Sequence, residues 1–299
     1  VESTQKIDWI TLAVMLFCYL LWASGTTFIY EFSPLLGFVI VTLMITLHSS
    51  LQHEVLHGHP LPNQKMSELL VYPAVGLLIP YERFKDTHLK HHYDPKLTDP
   101  YEDPETNYLD PKVWSELPKP IQSVLLINNT LLARILIGPL ISMIYFIKSD
   151  IRNYKNGQKR ILISWIHHFV GILLVFLWLI NWGQIPILLY CVSAYLGLGL
   201  LKIRTFLEHR AHEHPRGRTV VINDRGFFAF LFLNNNFHLV HHMHPGVSWY
   251  KLPKLFDHNK EQFLERNEGY AYTSYFEIFR KYAFRRKDPV PHPLWEKKP

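Results

Sequence analysis

The stretch ILISWIHHFVGILLVFLWLINW, running from Ile161 to Trp182, decides the fold class. It is apolar over the roughly 20 residues that a helix needs to cross a hydrocarbon core. Three more runs behave alike: residues 9–30, residues 34–57 with their apolar part reaching about Leu47, and residues 185–203. A soluble core seldom needs such runs. The chain therefore reads as an all-α integral membrane protein with four transmembrane helices. The first run is read as a retained span, because Glu2 and Asp8 stand where a secretory signal would carry basic residues.

Loop charge gives the sidedness. Lys65, Arg83, Lys85, Lys90 and Lys96 crowd one loop, and Lys148, Arg152, Lys155, Lys159 and Arg160 another, whereas the short connections 31–33 and 181–184 hold neither Lys nor Arg. By the positive-inside rule the spans form two hairpins with both termini in the cytoplasm, as in a bacterial inner membrane. Two apolar segments fit poorly as crossings. Residues 66–80 are too short and read as an interfacial or re-entrant helix. Residues 121–147 are interrupted by Asn128, Asn129, Thr130 and Arg134, and a charge at mid-bilayer is costly, so this segment is placed on the membrane surface. With no repeat, low-complexity tract or linker, residues 1–299 read as one domain, and the Pro- and Lys-rich stretch from Arg285 onward is expected to be poorly ordered.

The net charge of +6 suits loops beside an anionic membrane face and a surface that receives an acidic protein partner. No nucleic-acid motif accompanies it, so nucleic acid is excluded as a partner. Cys18 and Cys191 both lie within expected spans, which excludes a disulfide framework or a thiolate metal site.

Chemistry enters with the 18 histidines. His53-Glu54-Val55-Leu56-His57, His88-Leu89-Lys90-His91-His92 and His238-Leu239-Val240-His241-His242 share helical spacing, and residues i, i+3 and i+4 lie on one helix face. Imidazole suits iron, zinc, copper and nickel. From Pro34 to His57 a helix rises about 36 Å, more than the roughly 30 Å hydrocarbon core, so His53 and His57 emerge at the cytoplasmic edge. The other two clusters, and His209 beyond the fourth span, belong to the same side by loop charge. A lone histidine is ordinarily a core or surface residue. His167 and His168 are read as core or interfacial, His212, His214, His258 and His292 as surface, and His48, His59 and His244 as neighbours of the clusters. Nine candidate ligands remain: His53, His57, His88, His91, His92, His209, His238, His241 and His242. One zinc takes about four ligands, so nine call for two ions, and open positions on them fit O2 activation better than a closed structural site.

With these boxes on the page, the sequence resembles the membrane fatty acid desaturase superfamily, whose members carry three such boxes in this order. The similarity extends to Tyr81-Glu82-Arg83-Phe84, to Asp99-Pro100 and Asp103-Pro104-Glu105, to Asn234-Asn235-Asn236, and to Pro245 and Trp249-Tyr250-Lys251-Leu252-Pro253. The resemblance implies a four-span fold with interfacial helices and a cytoplasmic helical cap, two Fe ions cycling between Fe2+ and Fe3+, O2 as co-substrate and a separate electron donor. It also implies that His209, in Phe206-Leu207-Glu208-His209-Arg210, is an additional ligand. Where acyl-CoA relatives carry an Asn that binds iron through water, this chain has Thr205.

The leading expectation is a fatty acyl desaturase that removes two hydrogens from unactivated C–H bonds of a lipid-like substrate. A lipid or alkane hydroxylase and a carotenoid ketolase share the boxes. Asp86, Asp94, Asp103 and Glu208 are candidates to orient ring nitrogens. No Gly-rich dinucleotide fingerprint is present, so electrons are expected from a ferredoxin, rubredoxin or cytochrome. Two readings compete. His53-Glu54-Val55-Leu56-His57 is a full H-E-x-x-H, which an intramembrane zinc protease would use with Glu54 as general base. A metal carrier would instead string its ligands through the bilayer.

Overall fold

The chain enters its first helix at Asp8, whose carboxylate accepts the Thr11 N–H at 3.1 Å and caps α1 (Trp9–Thr26). The computed structural model describes residues 6–295. After α1 come α2 (Phe28–Phe32), α3 (Pro34–Leu56), α4 (Gln64–Leu70), α5 (Tyr81–His91), α6 (Pro111–Glu116), α7 (Lys119–Asn128) and α8 (Leu131–Leu136). Then follow α9 (Gly138–Lys155), α10 (Arg160–Asn181), α11 (Ile187–Thr205), α12 (Phe227–Leu231), α13 (His238–Met243), α14 (Leu252–His258), α15 (Lys260–Arg266) and α16 (Tyr275–Tyr282). One parallel pair, β1 (Val221–Ile222) and β2 (Ala271–Tyr272), is the only sheet among the described residues. The chain divides into two compact units, residues up to 85 with 139–200, and residues 86–138 with those from 201 onward.

In the first unit, α1, α3, α10 and α11 are long and apolar enough to cross a membrane, and they correspond to the four apolar runs. The outer face of α10 shows why lipid is its solvent: Phe169, Leu173 and Ile180 are 61%, 55% and 68% exposed. A contiguous apolar face of this kind does not persist in water. The first hairpin turns at Thr27, through α2, to Ser33, whose hydroxyl accepts the Leu36 N–H, with Pro34 opening α3. The second turn lies beside the first, because the Thr26 carbonyl accepts the Gln184 N–H at 2.8 Å and the Thr26 hydroxyl accepts the Trp178 indole N–H at 3.0 Å.

Residues 66–80 depart from a helix. Only Gln64–Leu70 is helical, and residues 71–80 are irregular. Their backbone groups are met by the spanning helices: Ala74 N–H donates to the Gly171 carbonyl, Tyr190 Oη donates to the Val75 carbonyl at 2.8 Å, and His168 Nε2 bonds the Leu77 carbonyl at 2.9 Å. Irregular backbone at this depth survives only where protein satisfies it. Gly171 allows the approach, since a Cβ there would stand 2.6 Å from the Tyr72 carbonyl oxygen.

Residues 121–147 are not one segment either, but parts of α7, α8 and α9 broken at Asn129 and Ile137. The polar residues that argued against a crossing build the first break. Arg134, buried in the second unit, donates from Nε to the Asn128 carbonyl at 2.8 Å and from a terminal nitrogen to Asn129 Oδ1 at 3.1 Å. The stretch from Arg285 is ordered through Trp295, contrary to expectation: Leu109 N–H donates to the Val290 carbonyl, and His292 N–H to that of Leu109. Residues 296–299 lie outside the described residues.

The start of α5 is fixed in the first unit by an ion pair between Arg83 and Asp150 at 2.9 Å, both buried, with the Trp165 indole N–H on the second carboxylate oxygen. Replacing Asp150 by Ala removes the counter-charge of a buried guanidinium, which costs about 3–5 kcal/mol. Thermal unfolding in detergent should show this loss, and an unchanged midpoint would count against the pair as an anchor.

Candidate metal centre

Box three shows how the sequence builds the centre. Within His238-Leu239-Val240-His241-His242, Leu239 and Val240 pack with Val221, Phe237, Leu252, Phe256 and Phe263 in the core of the second unit. That burial turns the helical face carrying His238, His241 and His242 away from the core. In box two, α5 holds His88 and His91 at 1% and 3% exposure, with His92 following its last turn, while Leu89 and Lys90 face outward. His209 follows α11 and pairs with Thr219 across an antiparallel bridge. In the first unit His53 sits in the last turn of α3 and His57 caps it, their ring centroids 4.8 Å apart.

Two groups of imidazoles converge within the second unit. His91 Nε2 and His238 Nε2 stand 2.9 and 3.0 Å from His209 Nε2, and His242 joins them, the four offering nitrogens within 4.8 Å of one another. Beside them, His92 Nε2 stands 3.0 Å from His88 Nε2 and 3.2 Å from His241 Nε2. Nitrogens bound at right angles to a metal at about 2.1 Å lie about 3.0 Å apart, so these separations would suit the ligands of one ion in each group.

The opposite ring nitrogens say the same. His91 Nδ1–H donates to Asp103 at 2.7 Å and His88 Nδ1–H to Glu105 at 3.1 Å. His238 Nδ1–H donates to Asn235 Oδ1 at 3.2 Å, and His209 Nδ1 bonds the Thr219 hydroxyl at 3.2 Å. A neutral imidazole that gives its proton on the Nδ1 side presents a lone pair at Nε2, and lone pairs facing one another at 3 Å repel unless a proton or a metal ion lies among them. The donor set therefore fits a metal of the imidazole-binding class.

The electrostatics divide the rings. Burial, followed by the neighbouring imidazoles, pushes His209 and His238 well below the ordinary imidazole range, which favours the neutral form that can bind a metal. Burial presses on His91 in the same direction, yet Glu105 and Asp103 outweigh it and carry His91 up to about 9. Glu105 is held well below the usual carboxylate range, against its burial, by His88 and His91.

Of the acids named from sequence, Asp103 orients a ring directly. Glu208 instead pairs with Arg204 at 3.2 Å and accepts from Asn235 Nδ2, so it acts one residue further out. Asp86 is half-buried on α5, and the Asp94 side chain lies outside the described residues. Glu105, Asn235 and Thr219 were not singled out as partners. Asn235 precedes His238 by three residues and could have been found by spacing, whereas Thr219 is ten residues from His209 and carries no local signal. Thr205 ends α11. Outside the boxes, His48 bonds Tyr19 Oη, His167 pairs with Glu82 at 2.7 Å, and His292 bonds the Thr98 hydroxyl.

Asp103 is itself held by the Thr98 and Glu105 N–H groups, each at 2.9 Å. Asp103→Ala should weaken metal retention by roughly 10–100-fold through His91. Metal per chain after dialysis against graded chelator measures it, and retention equal to the parent's would show that Asp103 does not orient a ligand.

No protein of curated function matches the chain. The model of the family described as fatty acid desaturase matches residues 31–274, a span that takes in all three histidine boxes and His209. Four apolar helices of spanning length, paired imidazole clusters and this match agree: the chain belongs to the fatty acid desaturase family and is a membrane oxidoreductase with a metal site.

Proposed function

We propose that this chain is an O2-dependent fatty acyl desaturase whose histidines hold two iron ions. The observation that supports it most is the convergence of imidazole nitrogens in two adjoining groups, His91, His209, His238 and His242 in one, His88, His92 and His241 in the other. His53 and His57 join the ligand set on the strength of the sequence pattern, as the family's first box. The family match runs through residues of both units, which supports a single catalytic domain.

Iron held by imidazoles supplies the redox chemistry that activates O2 toward an unactivated C–H bond. The residues of the chain set the conditions for it. Asp103, Glu105, Asn235 and Thr219 fix ring orientation from the Nδ1 side, and burial favours the neutral form of His209 and His238. Desaturation takes two hydrogens from the substrate, two electrons from a donor, delivered one at a time, and two protons from water, and reduces O2 to two waters. The chain has no dinucleotide fingerprint and only two cysteines, so a ferredoxin, rubredoxin or cytochrome supplies the electrons, received on a basic cytoplasmic face. The same loop-charge argument supports a centre on the cytoplasmic side of the membrane, read here as a bacterial inner membrane. A zinc protease built on His53, Glu54 and His57 leaves both groups of the second unit unexplained.

Metal analysis of purified protein should give about two irons per chain, and one zinc instead would overturn the reading. His91→Ala and His241→Ala should each lose iron and turnover together; retained iron in both would break the two-group assignment. Mass spectrometry of lipids from cells with and without the chain should show products lighter by two hydrogens. Gain of one oxygen would indicate a hydroxylase, and a ketone a ketolase.

A further inference from the structure

His212 and His214, read from sequence as surface residues, meet Glu268 in the second unit. His214 Nδ1 lies 3.0 Å from Glu268 Oε1 and His212 Nε2 lies 3.4 Å from Glu268 Oε2. One atom from each of the three residues falls within 4.8 Å of the other two. Bonds of about 2.0–2.1 Å arranged tetrahedrally separate neighbouring ligand atoms by about 3.3 Å, and the two imidazole–carboxylate separations, 3.0 and 3.4 Å, lie on either side of it. Arg216 Nε also approaches Glu268 Oε1, at 3.4 Å, from the exposed side.

The loop holds one of the rings in place. His212 Nδ1 lies 3.3 Å from the His214 carbonyl and 3.2 Å from its N–H. The His214 N–H donates to that Nδ1, so the ring carries its own proton on Nε2, facing Glu268, and this is the proton an arriving ion would displace. Gly217 closes over the ring: a Cβ there would stand 2.5 Å from His212 Nδ1, so only glycine allows the contact. The loop's two ends are joined by Arg210 N–H donating to the Arg218 carbonyl at 2.9 Å, immediately beyond the bridge between His209 and Thr219.

We propose that His212, His214 and Glu268 form a further metal site, sharing no residue with the histidine centre, for one divalent ion of the zinc class. Two imidazoles and one carboxylate suit such an ion, and the exposure of His214 leaves its remaining positions to water. An ion there cross-links the loop that begins at His209 to the turn at Glu268 and Gly269.

The test uses tag-free full-length protein in detergent with its native metal in place, equilibrated at graded free Zn2+. The parent should bind one more zinc per chain than His214→Ala or Glu268→Gln, whose affinity at this site should fall by roughly 100-fold or more, beyond what loss of an outer partner causes. Co2+ in place of Zn2+ should give the parent, and neither variant, an added tetrahedral absorption band. Native metal content equal to the parent's reports that each variant is folded. Coincident zinc curves for parent and both variants would overturn the site. So would zinc uptake that displaces the native metal one for one, since that zinc would occupy the histidine centre.

Discussion

The hydrogen bond from His91 Nδ1 to Asp103, 2.7 Å long and buried at both ends, is the contact on which the centre depends. It keeps a proton on Nδ1 of His91 and turns Nε2 toward His209. The same arrangement, an acceptor behind each ring and a lone pair in front, recurs at His88 and His238. Without an acceptor behind it a buried imidazole could rotate or exchange tautomers, and a ligand that does either loses the metal.

That arrangement demands a rigid support, and the second unit supplies it from short elements. α13 has only six residues, too few for a stable isolated helix, but Leu239 and Val240 anchor it in a core with Phe237 and Phe256. The residues before it, Leu233 and Asn234, take left-handed backbone conformations that turn the chain into box three. Asn236 then ties this turn to β1, its Nδ2 donating to the Ile222 and Asp224 carbonyls. Asn234-Asn235-Asn236 thus divides its labour: one residue shapes the turn, one orients His238, one fastens the turn to the strand.

In the first unit the governing constraint is backbone satisfaction. Residues 71–80 run irregularly among helices whose outer faces are apolar, and each carbonyl freed from helical pairing must find a donor. Tyr190 and His168 serve in this way. The polar atoms of His168 and Tyr190, which sit oddly in spanning helices, thereby have a structural role.

The spans, the boxes and His209 were legible in the chain because each is a local pattern: an apolar length set by bilayer thickness, or imidazoles one helical turn apart. The irregular course of residues 71–80 and the ordered stretch from Arg285 were not, since each depends on a partner far away in sequence, such as Gly171 or Leu109. The same division runs through the centre. The imidazoles and their spacing followed from the residues themselves, whereas the grouping of His91 with His209 and His238, and of His92 with His88 and His241, arose only in three dimensions. Neighbouring residues in box two, His91 and His92, point to different groups because successive positions on a helix diverge by about 100°. Spacing can bring a ring to a face, but only the packed chain decides which other rings it meets.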